Sequence, residues 1–195
     1  DEANVCFLFA PQYHSGMRFA APVRQALKTR TIFNVLGPLI NPARPTYQLM
    51  GVYSEELLEP IAETLRELGL QKGMVVYGSG LDEIAVHGET QVAEIQGEHI
   101  RYYTLTPADF GLKYHTLEAI RGGEPEENRR LTENLLAGKG TDAQQTAIAI
   151  NLAPLLKMGG LVENLKQGAE MAIETLRSGD ALDKVTQLAT LSHKE

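Results

Sequence analysis

Two stretches carry side chains whose types and spacing could do chemistry. In YHSGMRFAAPVR, residues 13–24, a helix beginning near His14 would place His14, Met17, Ala21 and Arg24 on one face, with Arg18 nearby. A guanidinium on such a face is unusual, because apolar faces seldom hold one. Its fork of N–H donors matches a carboxylate at two points, so this stretch could clamp a carboxylate ligand. An ion pair within the protein, or an arginine snorkelling along an apolar surface, satisfies the same pattern. In GSGLDEIAVHG, residues 78–88, a strand ends, glycines turn the chain, and the adjacent carboxylates Asp82 and Glu83 follow. On a loop both can lean toward one divalent ion, and Mg²⁺ takes one or two carboxylates together with ligand phosphates and water. The carboxyl end of a strand is also where open α/β sheets bind ligands. The competing reading is a solvated acidic turn.

Other stretches offer less. GKGTDAQQ, residues 138–145, could hold an anion at a helix N-terminus, but it reads more simply as a helix start capped by Thr141. His87, His99, His115 and His193 have no partner at ligand spacing, so no metal role is assigned to them. No G-x-S-x-G is present.

These residues must be positioned by regular elements. VCFLFA (5–10) is a continuous apolar run and predicts a buried strand, with Cys6 as a buried hydrophobe inside it. Residues 15–28 predict a helix capped by Ser15 and kinked at Pro22. A second strand is expected over 47–53 and an amphipathic helix over 54–69. In that helix Ser54 is the cap, Leu57, Leu58, Ile61, Leu65 and Leu68 form the core stripe, and Gly69 is the stop. A third strand follows over 73–79. EIAVHG, TQVAEIQG and HIRYYTL then read as short antiparallel hairpin strands. Helices are expected over 125–138, with Pro125 in the first turn, and over 141–159, 161–179 and 181–192. The result is an α/β domain with a mixed sheet and a late helical layer.

Totals bound the function. The chain has 195 residues, 43% of them hydrophobic and 22% charged, which suits one sizeable domain and argues against general disorder. A net charge of −7 without a basic cluster argues against nucleic acid as a partner. No apolar run reaches the roughly 18 residues of a membrane span, and no signal peptide is expected. The lone cysteine cannot staple a domain and fits a reducing, cytoplasmic setting. The opening, DEANVCFLFAP, enters a strand pattern without an initiator Met, which leads us to expect a preceding segment.

RTIFNVLGPLINP, residues 30–42, is apolar yet broken by Gly-Pro and Asn-Pro, so it predicts reversals of chain direction. The long stretch FAPQYHSGMRFAAPVRQALKTRTIFNVLGPLINPARP (9–45), the Asp-Glu loop at 78–88 and GEPEENRRLTENLLAGKG (123–140) together resemble the anthranilate phosphoribosyltransferase family. The resemblance implies a phosphoribosyltransferase-type α/β large domain, with a mixed central sheet flanked by helices. It implies transfer of phosphoribosyl from phosphoribosyl pyrophosphate to anthranilate in tryptophan biosynthesis. Arg24 matches the family arginine for the anthranilate carboxylate, and Pro11, His14, Met17 and Gly37 match positions along the anthranilate path. Asp82 and Glu83 match the Mg²⁺ carboxylates.

The resemblance further implies a homodimer and a glutamine amidotransferase or anthranilate synthase partner. It makes residues 1–195 the C-terminal portion of the α/β domain, with about 15–45 as the hinge to a small helical domain. The family's glycine-rich pyrophosphate loop and KHGN segment have no counterpart in these 195 residues, so inactivity of the chain alone is expected. A nucleoside phosphorylase relative, or a non-catalytic fragment completing a split fold, are the alternative readings.

Overall fold

The computed structural model describes residues 2–9, 13, 19, 26, 29 and 31–193, and the chain divides into two compact units, residues 1–45 and 46–195.

In the first unit the expected strand at 5–10 is not formed over its described residues 5–9. Val5, Phe7 and Phe9 are exposed, the rings of Phe7 and Phe9 stack at 6.4 Å, and Cys6 is exposed rather than buried. An apolar run becomes a strand only where a neighbouring edge supplies hydrogen bonds, and no strand pairs with it among the described residues. The helix expected over 15–28 lies almost wholly outside the described residues, although Phe19 and Ala26 are helical.

The Gly-Pro of the kinked stretch falls inside a short helix, α1 (Phe33–Leu39), and makes no turn. Pro38 sits in its last turn, where the missing N–H costs one bond of a helix that ends a residue later. The asparagines mark the two ends. Asn34 Oδ1 accepts from the Thr31 N–H at 2.8 Å, and Asn41 Oδ1 accepts from the Ala43 N–H at 3.0 Å. The Arg44 N–H closes the second turn on the Asn41 carbonyl at 3.1 Å. The Asn-Pro reversal is therefore formed as the sequence predicts.

In the second unit a four-stranded mixed sheet runs in the order β1 (Tyr47–Gly51), β2 (Lys72–Tyr77), β3 (Thr90–Gln96), β4 (His99–Leu105). β1 and β2 are parallel, with Tyr47 opposite Lys72 and Gly51 opposite Val76. They are linked by α2 (Leu58–Glu67). β2, β3 and β4 are antiparallel, and Gly97 turns the β3–β4 hairpin at φ 57°.

Met74 and Val76 alternate with Val75 along β2, and all three are essentially inaccessible. Met74 and Val76 belong to the main core with Val92, Phe110 and Ile150, so Val75 faces the opposite side of the sheet. Burial on both faces explains why β2 reads as an unbroken apolar run. In α2 the buried stripe is Leu58, Ile61, Ala62 and Leu65, while Leu68 is exposed. Ser54 makes no capping bond, because a 3₁₀ turn over Glu55–Leu57 precedes the α-helix.

The late helices are α3 (Pro125–Leu136), α4 (Asp142–Met158), α5 (Leu165–Ser178) and α6 (Asp180–Ser192). Pro125 occupies the first turn of α3 as expected. α5 begins four residues later than the pattern suggests, capped by Asn164, whose side chain accepts from the Gln167 N–H. α4 and α5 meet closely at Gly168, where an added Cβ would stand 2.9 Å from Ala153 Cα. No helix among the described residues is long and apolar enough to cross a membrane.

Candidate metal and substrate site

Because β1 and β2 are parallel, their carboxyl ends lie at the same edge of the sheet. β2 leaves that edge into a tight turn, with Gly78 and Leu81 exchanging backbone hydrogen bonds at 2.9 and 3.2 Å. Both central residues have positive φ, Ser79 at 50° and Gly80 at 102°. A serine there is strained, and its bonds offset the strain. Ser79 Oγ donates to the Glu89 carbonyl at 2.7 Å, and the Ser79 carbonyl lies 3.3 Å from His87 Nε2.

Asp82 and Glu83 follow directly and are exposed. The loop passes so close over the strand end that a Cβ on Gly51 would overlap the Asp82 carbonyl. A Cβ on Gly78 would likewise overlap the Glu83 carbonyl. Glycine is required at both places for close approach.

Beyond Glu83 the chain dives inward, and Ile84, Ala85 and Val86 are at most 1% exposed. EIAVHG was expected as a hairpin strand, but it is irregular. The reason is that side chains take the place of a neighbouring strand in meeting its backbone groups. Asn151 Oδ1 accepts from the Ile84 N–H at 2.9 Å and Asn151 Nδ2 donates to the Ile84 carbonyl at 3.4 Å. The Ala85 N–H donates to Oγ1 of the fully buried Thr90 at 2.9 Å.

Partial burial of the carboxyl, and secondarily the Asp82 charge, push Glu83 above the usual glutamate range. Neither carboxylate has an ion pair or a side-chain hydrogen bond among the described residues. Two adjacent hard oxygen donors without an ion pair among those residues, at a strand's carboxyl end, suit Mg²⁺, which retains water and takes few protein ligands. Among the described residues no group of three or more His, Cys, Asp or Glu gathers for a more demanding metal site. Beside the loop lies an open groove of about 630 Å³, lined by Leu81, Glu83, Ile84, Ile120, Arg121 and Ile148 among others.

The remaining expectations fare differently. Pro11, His14, Met17 and Arg24 lie outside the described residues. Gly37 sits in α1 with open space where a Cβ would project. Thr141 caps α4 in a reciprocal box with Gln144, so GKGTDAQQ is the helix start its sequence suggests. His115 contacts Thr146 Oγ1 at 3.2 Å and lies 3.8 Å from an Asp142 carboxylate oxygen. Sequence reasoning missed Asn151, Thr90 and Gly51. Only Asn151 left a signal, as a lone amide in the small, apolar run AIAINLAP.

A parallel strand pair joined through a helix, extended by an antiparallel hairpin and covered by late helices, is an α/β domain with a mixed sheet. The chain belongs to the glycosyl transferase family, a/b domain, which matches residues 1–182. Its relatives are anthranilate phosphoribosyltransferases. The Tolumonas auensis protein is 88% identical over all 195 residues and the Aeromonas salmonicida protein 63%, the chain covering 58% of each. The chain thus spans little more than half the length of the curated relatives it matches.

The crystal structure of the Thermus thermophilus enzyme matches with a TM-score of 0.89 at 41% identity, over 97% of this chain and 56% of that one. The Saccharomyces cerevisiae enzyme in complex with PRPP and Mg matches with a TM-score of 0.82 at 32% identity, over 90% of this chain and 51% of that one.

Proposed function

We propose that this chain is the C-terminal portion of the α/β domain of an anthranilate phosphoribosyltransferase. The complete protein joins anthranilate to phosphoribosyl pyrophosphate, giving N-(5-phosphoribosyl)anthranilate and pyrophosphate. The observation that carries the reading is the Asp82–Glu83 pair, without an ion pair among the described residues and held over the carboxyl ends of two parallel strands. Asp82 and Glu83 hold Mg²⁺, which when bound neutralises charge on the departing pyrophosphate. Arg24 holds the anthranilate carboxylate, and Pro11, His14, Met17 and Gly37 line its path. This is orientation of a nucleophile that needs little base assistance at neutral pH. Residues of about 15–45 act as the hinge segment toward a small helical domain.

The same reading makes the complete protein a cytoplasmic homodimer with a glutamine amidotransferase or anthranilate synthase partner. An exposed lone cysteine suits a reducing compartment.

The test is an assay of the complete gene product with Mg²⁺, anthranilate and phosphoribosyl pyrophosphate, comparing wild type with Arg24→Ala. The expected result is Mg²⁺-dependent turnover, with KM for anthranilate raised by Arg24→Ala more than KM for the phosphoribosyl donor. Phosphate-dependent cleavage of a nucleoside without anthranilate turnover would overturn the reading. Equal effects on both KM values would remove the arginine clamp.

A further inference from the structure

We infer that Asn151 is a positioning residue for the Asp82–Glu83 pair. Its side-chain amide grips the Ile84 backbone at both polar groups and so fixes where the two carboxylates stand. The inference rests on the Mg²⁺ role proposed above.

The geometry is a two-point clamp. Oδ1 accepts from the Ile84 N–H at 2.9 Å, and Nδ2 donates to the Ile84 carbonyl at 3.4 Å. The second Nδ2 hydrogen reaches the Ala147 carbonyl, one turn back in α4, at 3.0 Å. That third bond fixes the amide's orientation, so its acceptor faces the Ile84 N–H. The clamped residue is the one directly after Glu83 and is itself 1% exposed. On the other side of the pair, Gly51 and Gly78 bring strand backbone against the Asp82 and Glu83 carbonyls. The carboxylates therefore stand on a segment fixed at both ends, while they themselves lack protein partners among the described residues.

Preorganising oxygen donors spares a metal the cost of ordering them, which is how groups that orient ligands tune affinity. Asn151 also lines the groove beside Glu83, so the clamp sits next to the space a ligand would enter.

A second asparagine provides an internal control. Asn128 grips Gly123 in the same fashion, accepting from its N–H and donating to its carbonyl, both at 2.8 Å. That clamp holds the loop before α3 and touches neither acidic residue. If the asparagines only satisfy backbone groups, the two substitutions should behave alike.

The experiment is titration of the complete gene product with Mn²⁺, a paramagnetic stand-in for Mg²⁺, with free ion followed by electron paramagnetic resonance. Thermal unfolding is recorded for every variant. Asn151→Ala is expected to weaken Mn²⁺ binding about tenfold or more. Asn128→Ala is expected to lower Tm and leave Mn²⁺ binding at the wild-type value. Asn151→Gln keeps the amide but moves it by one methylene, so it decides the matter should Asn151→Ala fail to fold, and it too is expected to weaken binding. The double variant Asp82→Asn with Glu83→Gln is expected to abolish binding.

Wild-type Mn²⁺ affinity in a folded Asn151 variant, alongside loss in the double variant, would overturn the positioning role while leaving the metal site standing. Equal weakening by Asn128→Ala would also overturn it, since the effect would then be general destabilisation. Unchanged binding in the double variant would sink the metal site itself, and the inference with it.

Discussion

The two ends of the central sheet differ in how they treat charge. At the end where β2 begins, Lys72, Glu94, His99, Arg101 and Lys157 line a pocket of about 360 Å³. Several of these charges are already engaged. Arg101 bonds Glu94 at 2.7 Å and lies over the Tyr103 ring, and Lys72 Nζ donates to the Met158 carbonyl at the carboxyl end of α4. A cation there complements the helix dipole.

At the end where β2 finishes, Asp82 and Glu83 stand side by side, unpaired among the described residues, on a loop with a strained serine, packed against space-limited glycines at the ends of β1 and β2. Neutralised charge is the ordinary outcome of folding. Two adjacent carboxylates without an ion pair among the described residues, with Glu83 raised by partial burial and by the Asp82 charge, make this end the candidate ligand site.

The largest expected effect would break the comparison at its acidic end. Asp82→Asn with Glu83→Gln in the complete gene product should lower Mg²⁺-dependent turnover on the order of 100-fold. Steady-state rates across a Mg²⁺ series check this, and an unchanged Mg²⁺ dependence would make the acidic pair as ordinary as the opposite end. Next comes the backbone beneath the pair. Gly51→Ala forces a methyl into the Asp82 carbonyl, and neither backbone can give way cheaply. A loss of about 2 kcal/mol or more in urea denaturation is expected.

A smaller effect concerns pH. The folded-state pKa of Glu83 lies above its unfolded value, so the folded state binds more protons, and stability falls as pH rises through the interval between the two. Glu83→Gln removes that penalty. Without metal, the variant should match wild type below the ordinary glutamate pKa and gain a modestly higher Tm at pH 7. Equal Tm at both pH values would show the carboxyl to be fully solvated. The smallest effect belongs to the opposite end. Arg101→Ala breaks an ion pair that is exposed at its arginine end and largely buried at Glu94, so Tm should fall only slightly and Mg²⁺ binding stay untouched. A clear fall in Mg²⁺ affinity would show that the two ends are coupled.

Much of the second unit was legible in the chain, because local rules and burial agree there. Thr141 and Gln144 form their reciprocal cap, Pro125 opens α3, and Gly69 follows α2 at φ 90°. The apolar run of β2 lies between two packed faces. The first unit was less legible. VCFLFA has strand composition, but composition supplies no hydrogen-bonding edge, and its described aromatic residues are exposed. EIAVHG failed for a related reason, since side chains from other parts of the chain replace its ladder.

By itself, then, the sequence determined the α/β alternation, most helix ends, and the presence of two adjacent carboxylates after a glycine turn. Each follows from residues within one or two turns of each other. The tertiary structure alone decided where those carboxylates stand. Asn151 reaches Ile84 across 67 residues of chain, and Gly51 meets the Asp82 carbonyl only because two parallel strands finish at the same edge. Such contacts depend on how elements are stacked, and no local spacing encodes them.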